Sequence, residues 1–246
     1  MQAFDEQHFT SAFTSAFAAH GLSSLLSRDT VHTFFRLTEH MLAANAQFNL
    51  TAITDPTDIL YRHYLDCAHP AARLPKGARV IDIGCGAGFP SLPMAILRPD
   101  VEILAVDSTA KKVAYVAETA AALGLANLRT QVGRAEELAH TPTLREAFDV
   151  ATARAVADLR ILTELCLPFV RIGGHMLAMK GKQAASELAS AKKAIAMLGG
   201  RAEPIEDIVL RGHGEDMHHP LITVKKVSKT PQAYPRAYAQ ISKKPL

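Results

Sequence analysis

One stretch constrains the fold more than any other. Arg79-Val-Ile-Asp-Ile83 runs directly into Gly84-Cys-Gly86-Ala-Gly88-Phe89. A short β-rich run that ends on glycines and precedes a helical segment reads as strand, tight turn, helix. Glycine has no Cβ, so such a turn adopts angles closed to other residues and lets backbone approach a ligand closely. The dinucleotide fingerprint requires glycine at its sixth position, where this chain has Phe89. No Gly-Lys-Ser/Thr follows, which excludes a phosphate-cradling P-loop. The spacing Gly-x-Gly-x-Gly is that of S-adenosylmethionine (SAM) sites. A turn that binds nothing is the alternative.

Around this stretch, strands and helices alternate. Further strands are expected at Val101 to Val106, Leu128 to Val132, Phe148 to Thr152 and His175 to Met179. Helices are expected over 91–98, 109–123, 155–169 and 182–198, with Gly124 and Gly199-Gly200 placed as C-caps. This alternation predicts an α/β fold with a mostly parallel sheet and helices on both faces. Ile205–Leu210 and Leu221–Val227 have no helix between them and add an antiparallel hairpin, bringing the count to seven strands.

The first seventy residues lack strand signals and read as a helical extension, which places a boundary between 1–70 and 71–246. Asp29-Thr30 is expected to cap a helix carrying Val31, Phe34, Phe35, Met41, Leu42 and Phe48. Asp55-Pro56-Thr57-Asp58 starts another, whose buried face carries Ile59, Leu60, His63, Tyr64 and Cys67. The aromatic pair Phe34-Phe35 is expected in the core rather than as a base-stacking platform.

Asp107 ends the second strand, where a carboxylate can accept from both ribose hydroxyls of a nucleoside. A helix-capping role for Asp107-Ser108 is compatible with that. In an open parallel sheet the ligand lies beyond the carboxyl ends of the strands. At that edge the strands deliver Asp107 and Lys111, then Arg134-Ala135-Glu136, then Arg154, then Lys180. Lys111, Arg134, Arg154 and Lys180 thus gather on one rim and suit phosphates or a guanine edge. Asp82, beside the glycines, is placed either as a loop anchor or as a partner of the methionine amino group.

Charge distribution adds one hint. The net charge is only +3 over 246 residues, yet no acid follows Asp216, and Lys225, Lys226, Lys229, Arg236, Lys243 and Lys244 do. A basic tail on a near-neutral body fits a polyanionic partner; packing of Tyr234, Pro235, Tyr238 and Ile241 on the sheet is the alternative reading. The acidic N-terminus and the lack of a long apolar run point to a cytoplasmic protein without a membrane span. Three dispersed cysteines, Cys67, Cys85 and Cys166, are expected as reduced thiols. The run Arg211-Gly-His213-Gly-Glu215-Asp216-Met-His218-His219 has no helical register to aim ligands, so no metal is expected there. His63 and Asp66, three apart, read either as acid/base machinery or as an internal hydrogen bond.

Taken in order, Phe48-Asn-Leu-Thr-Ala-Ile53, Arg62-His-Tyr-Leu-Asp66, Val80 to Pro90, Asp107-Ser108 with Lys111, Arg134-Ala-Glu136, Ala153-Arg-Ala155, Met179-Lys-Gly181 and Tyr234-Pro-Arg236 to Leu246 resemble the bacterial RsmG family, also called GidB. The likeness runs from about residue 45 to the end, and Cys67 and Cys85 depart from it where small residues such as Ser are common. It implies a Rossmann-like class I SAM-dependent methyltransferase acting on N7 of a guanine in 16S small-subunit ribosomal RNA. SAM is then the cofactor, and ribosomal RNA or the small subunit is the partner of a monomeric enzyme. On the residues and the resemblance together, the cofactor-binding set is Asp82, Gly84, Gly86, Gly88, Phe89, Asp107, Ser108, Ala135, Glu136 and Arg154. Arg154 and Lys180 are the candidate catalytic residues. Lys111, Arg134, Lys180 and Arg236 are assigned to RNA. Guanine N7 carries a lone pair and no proton, so no general base is required. Two alternatives share the cofactor half: a small-molecule SAM methyltransferase, and a SAM-binding ribosome-assembly factor with little turnover.

Overall fold

The parallel sheet implied by the strand-helix alternation is present in the computed structural model, which describes residues 5–46, 50–212 and 214–246. Phe48, Asn49 and His213 lie outside the described residues. Five parallel strands, β1 (Arg79–Ile83), β2 (Glu102–Asp107), β3 (Leu128–Val132), β4 (Phe148–Arg154) and β5 (Val170–Met179), stand in the order β3-β2-β1-β4-β5. Order reverses at β1, which creates a switch point where ligands bind in such sheets.

Beyond β5 lie β6 (Gly200–Ala202), β7 (Glu206–Leu210) and β8 (Met217–Lys226). The predicted hairpin is β7 and β8, but β8 also pairs antiparallel with β5, and β6 pairs with its far end. The sheet therefore has eight strands among the described residues, one more than the sequence indicated. The extra one is β6, masked because Gly199-Gly200 reads locally as a helix end. Gly199 does serve that end, with φ 82°.

The helices are α1 (Glu6–Ala19), α2 (Arg28–Asn45), α3 (Pro56–Ile59), α4 (Asp66–Ala72), α5 (Ser91–Leu97), α6 (Ala110–Ala122), α7 (Ala135–Leu138), α8 (Leu159–Cys166), α9 (Ala184–Met197) and α10 (Tyr238–Lys243). Ser27, rather than Asp29-Thr30, caps α2: its hydroxyl accepts the Thr30 amide at 3.1 Å. Asp55 caps α3 as expected, accepting from Thr57 and Asp58. A π turn over Leu60–Leu65 joins α3 to α4. The helix expected from 155 begins only at Leu159, because Asp158 is its cap and Ala155 holds a left-handed φ of 55°.

Two apolar layers sandwich the sheet, as the pleat requires. On one face Val80 and Ile103 meet α5, α6 and the N-terminal helices through Leu92, Val116, Phe13, Phe34 and Tyr64. On the other, Ile81 and Ala151 meet α8 and α9 through Leu162 and Ile195. Phe34 and Phe35 are core residues, with Phe13, Phe34 and Tyr64 rings in mutual contact. Residues of the N-terminal helices and of the sheet thus share one continuous layer.

Candidate active site

The glycine turn is pinned to its neighbour strand before it meets any ligand. The Gly84 and Cys85 amides both donate to Val106 O, at 2.8 and 2.9 Å. Gly84, Gly86 and Gly88 take φ values of 73°, 54° and 86°, a region that side chains rarely enter. A Cβ on Gly88 would lie 2.3 Å from Leu92 Cδ1, and one on Gly84 2.7 Å from Val156 Cγ2. Gly86 differs: a Cβ there would meet only Gly84 O, at 3.8 Å, because the turn borders a pocket of about 370 Å³. Asp107 closes this pocket at the end of β2. Its Oδ2 accepts the Gly86 amide at 3.1 Å and its Oδ1 accepts the Thr109 amide at 2.8 Å. The carboxylate therefore ties the glycine loop to the start of α6 while facing the pocket; Thr109 is the cap of that helix. A cradle that a Cβ would fill, with a carboxylate at the strand end, fits the nucleoside of SAM.

Other predicted cofactor contacts are placed differently. Phe89 lines the pocket. Lys112, which sequence reasoning did not single out, lines it too, and its neighbour Lys111, assigned to RNA, is exposed. Ser108 is exposed, Ala135 and Glu136 are buried at the start of α7, and Arg134, assigned to RNA, is exposed 3.8 Å from Glu136. None of these four borders the pocket walls. Asp82 is fully buried below the turn, beside Ser91 at the start of α5. Burial pushes its carboxyl up to about 7, with Ser91 and Arg154 opposing the rise. It does not line the pocket.

A larger cleft of about 980 Å³ opens beside the first. Arg62, Asp66, Lys180, Lys182 and His219 are on its walls, and His63, Arg154 and Ala155 belong to both cavities. Arg154 is the centre of this boundary. Its Nη1 donates to Arg62 O and to Asp66 Oδ2, both at 3.1 Å, and its Nη2 donates to His63 Nδ1 at 3.0 Å. Its Cζ lies 5.1 Å from the Phe89 ring centroid, and the His63 ring stacks on Phe89 at 4.3 Å. Burial, then the Arg154 charge, lowers His63 to about 4, so its imidazole is neutral at pH 7. Residues 63 and 66 both bond to Arg154 at the end of β4, so their hydrogen bonds pack the N-terminal helices onto the sheet, one of the two roles the sequence offered. Ala155, next in the chain, holds its strained φ at the same boundary, where such backbone outliers concentrate.

Lys180 borders the cleft with its ammonium already engaged, 2.6 Å from Ala157 O and 2.6 Å from Glu187 Oε2. Arg62 and Lys182 are the exposed cations of the cleft wall, and sequence reasoning did not single them out. The three cysteines are buried, and burial raises each thiol far above its ordinary value. They are therefore poor nucleophiles.

Arg236 does not join the rim. Its guanidinium and amide hold the fully buried Glu164, with Nη2 2.6 Å from Oε2. Lys226 is likewise buried, 2.7 Å from Leu167 O and 3.3 Å from Glu146. Both lie at the amino ends of β4 and β5, opposite the cleft. The assignment of Arg236 to RNA is corrected on this ground: its donors are consumed by the protein.

Residues 31–212 match the family model described as rRNA small subunit methyltransferase G. A curated relative from Clostridium perfringens (strain 13 / Type A), named ribosomal RNA small subunit methyltransferase G, is 43% identical over 82% of this chain and 84% of its own. The chain belongs to this family. A second member bearing the same name, from Exiguobacterium sp., is 39% identical over 96% of this chain and 98% of its own. Among solved structures, a SAM-dependent O-methyltransferase from Thermotoga maritima superposes with a TM-score of 0.51 at 14% identity, covering 78% of this chain and 73% of that one. That likeness shows the fold. No helix among the described residues is long and apolar enough to cross a membrane.

Proposed function

We propose that the protein transfers the methyl group of SAM to N7 of a guanine in 16S small-subunit ribosomal RNA, as a monomer in the cytoplasm. The observation that carries this reading is the junction of two cavities at His63, Arg154 and Ala155. A glycine-lined pocket within the ~300–1,000 Å³ range of small-ligand sites opens there onto a cleft walled by Arg62 and Lys182. We further take residues 1–70 as an extension to a methyltransferase domain over 71–246; the extension then supplies Arg62, His63 and Asp66 to the cleft.

Bound SAM supplies a methyl carbon activated by the adjacent sulfonium. The chain's own task is orientation: holding the base with N7 about 3 Å from that carbon and in line with the breaking bond. Gly84, Gly86 and Asp107 fix the cofactor side, and Phe89 with His63 forms the wall between the cavities. No group need remove a proton from N7, and the site matches that demand, with a neutral His63 and buried, protonated thiols. Arg62 and Lys182 are exposed and suit phosphates of the RNA.

Labelled SAM incubated with small ribosomal subunits, naked RNA or small metabolites tests the reading. Label at a guanine N7 of small-subunit RNA is the expected result. Label only in metabolites overturns the substrate class, and SAM binding without label overturns the catalytic role.

A further inference from the structure

Asp66 stands between two walls of the cleft with no role in the chemistry so far described. It is the first residue of α4, and its side chain is 8% exposed. One oxygen holds Arg154 of β4 at 3.1 Å, and the other holds His219 of β8 at 2.8 Å. A buried carboxylate is costly unless its partners are well placed. Here both oxygens are used, each on a residue from a different strand end.

The consequence falls on Arg154. Of its three polar partners, Asp66 is the only one carrying an opposite charge; the others are Arg62 O and the His63 imidazole. Arginine has a long, rotamer-rich side chain, and one freed from Asp66 can swing into either cavity. Charge matters as much as position. N7 methylation moves a positive charge from sulfur onto the guanine ring. An uncompensated guanidinium at the crossing opposes the charge arriving on the base, and a carboxylate 3.1 Å from it offsets that field.

We propose that Asp66 is a positioning residue for methyl transfer: it fixes the Arg154 guanidinium at the junction of the two cavities and offsets its charge there. This inference rests on the methyltransferase reading above. Its test uses the full chain, labelled SAM and small ribosomal subunits, with Asp66→Asn, Arg154→Gln and the double variant. Asp66→Asn is expected to lower kcat by about tenfold or more with SAM affinity kept; it also breaks a largely buried ion pair and lowers the melting temperature, so kcat is read well below that temperature. In the Arg154→Gln background the same change is expected to alter kcat by less than about twofold, because Asp66 acts through Arg154. Asp66→Glu keeps the charge and safeguards the fold but displaces the guanidinium; it is expected to lower kcat by about threefold. An unchanged kcat in Asp66→Asn or Asp66→Glu overturns the inference. So does an equal loss with and without Arg154, or a loss that tracks SAM affinity or the unfolded fraction at the assay temperature. Absence of label with the wild-type chain overturns the methyltransferase reading, and this inference with it.

Discussion

At the carboxyl ends of the parallel strands, Arg62 and Lys182 project from the wall of a cleft and Arg154 divides two cavities. At the amino ends, Arg145, Lys226 and Arg236 turn inward. Arg145 donates to Tyr234 O and Thr230 O at 3.0 and 3.1 Å, Lys226 reaches Leu167 O and Thr230, and Arg236 grips Glu164. The two ends carry similar charges with opposite uses. A cation's role is decided by its partners: on the cleft wall Arg62 and Lys182 stay exposed, Arg62 with Asp58 beside it, whereas Arg145, Lys226 and Arg236 are held by carbonyls and carboxylates and only Lys229, Lys243 and Lys244 of the described tail cations stay exposed. The basic tail is a strap that fastens β8 and α8 together, with Ile241 fully buried beneath it.

The largest effect expected from this contrast is on the strap. Glu164→Ala leaves Arg236 without its buried partner and should cost about 3–5 kcal/mol of stability, lowering the melting temperature and all activities together. An unchanged melting temperature would break the contrast at its structural end. At the other end, Gly86→Val forces a β-branched residue to φ 54° and places atoms at the pocket. Calorimetry should then find SAM affinity lower by roughly a hundredfold or more, a loss of about 3 kcal/mol. Asp107→Ala should weaken SAM by about 2 kcal/mol through lost charge-assisted hydrogen bonds; normal affinity would reduce Asp107 to a loop tie.

pH separates the two ends as well. His63 in the folded protein titrates at about 4 rather than 6.5, so the unfolded chain takes up the proton first. Stability is lost as pH falls from about 6.5 towards 4, and His63→Gln should flatten that limb. Lys226 is lowered from 10.5 to about 8 by burial. Between those values the unfolded chain holds the extra proton, so stability should rise with pH from about 8 to 10.5, and Lys226→Met should remove the rise. Denaturation midpoints across a pH series check both. The smallest effect concerns RNA affinity against salt. Arg62→Ala and Lys182→Ala should each flatten the log–log slope by about 0.7, whereas reversing Lys243 and Lys244 should leave it unchanged. A flatter slope in the latter would return the tail to RNA binding.

Much of the sheet was legible because its signals are local. Arg79–Ile83 and Leu128–Val132 are β-rich runs bounded by turns, and Asp55-Pro56 announces a helix start by capping chemistry alone. Failures of local reading have local causes too. Three-residue β6 hides behind a helix-ending glycine, and short α7 and α10 offer too few residues for periodicity. In the site, Gly84, Gly86, Asp107 and Arg154 were singled out from position relative to strand ends and Phe89 from the family resemblance; all five line one or both cavities. Lys112 was not singled out, because telling which helical residue faces a pocket requires the helix's rotation against the sheet.

The sequence by itself determined the alternation of strands and helices, the glycine turn and the carboxylate ending β2, since each depends on backbone preferences within a few residues. Only the tertiary structure decided which charges belong to the site. Arg154 meets Asp66 across 88 positions of chain, and Asp66 meets His219 across 153. Arg236 finds Glu164 across 72. Such pairings are fixed by which helix covers which face and how β8 lies against β5. A charged side chain carries no mark of its eventual partner: burial and the geometry of donors assign it, and both exist only once distant segments have packed together.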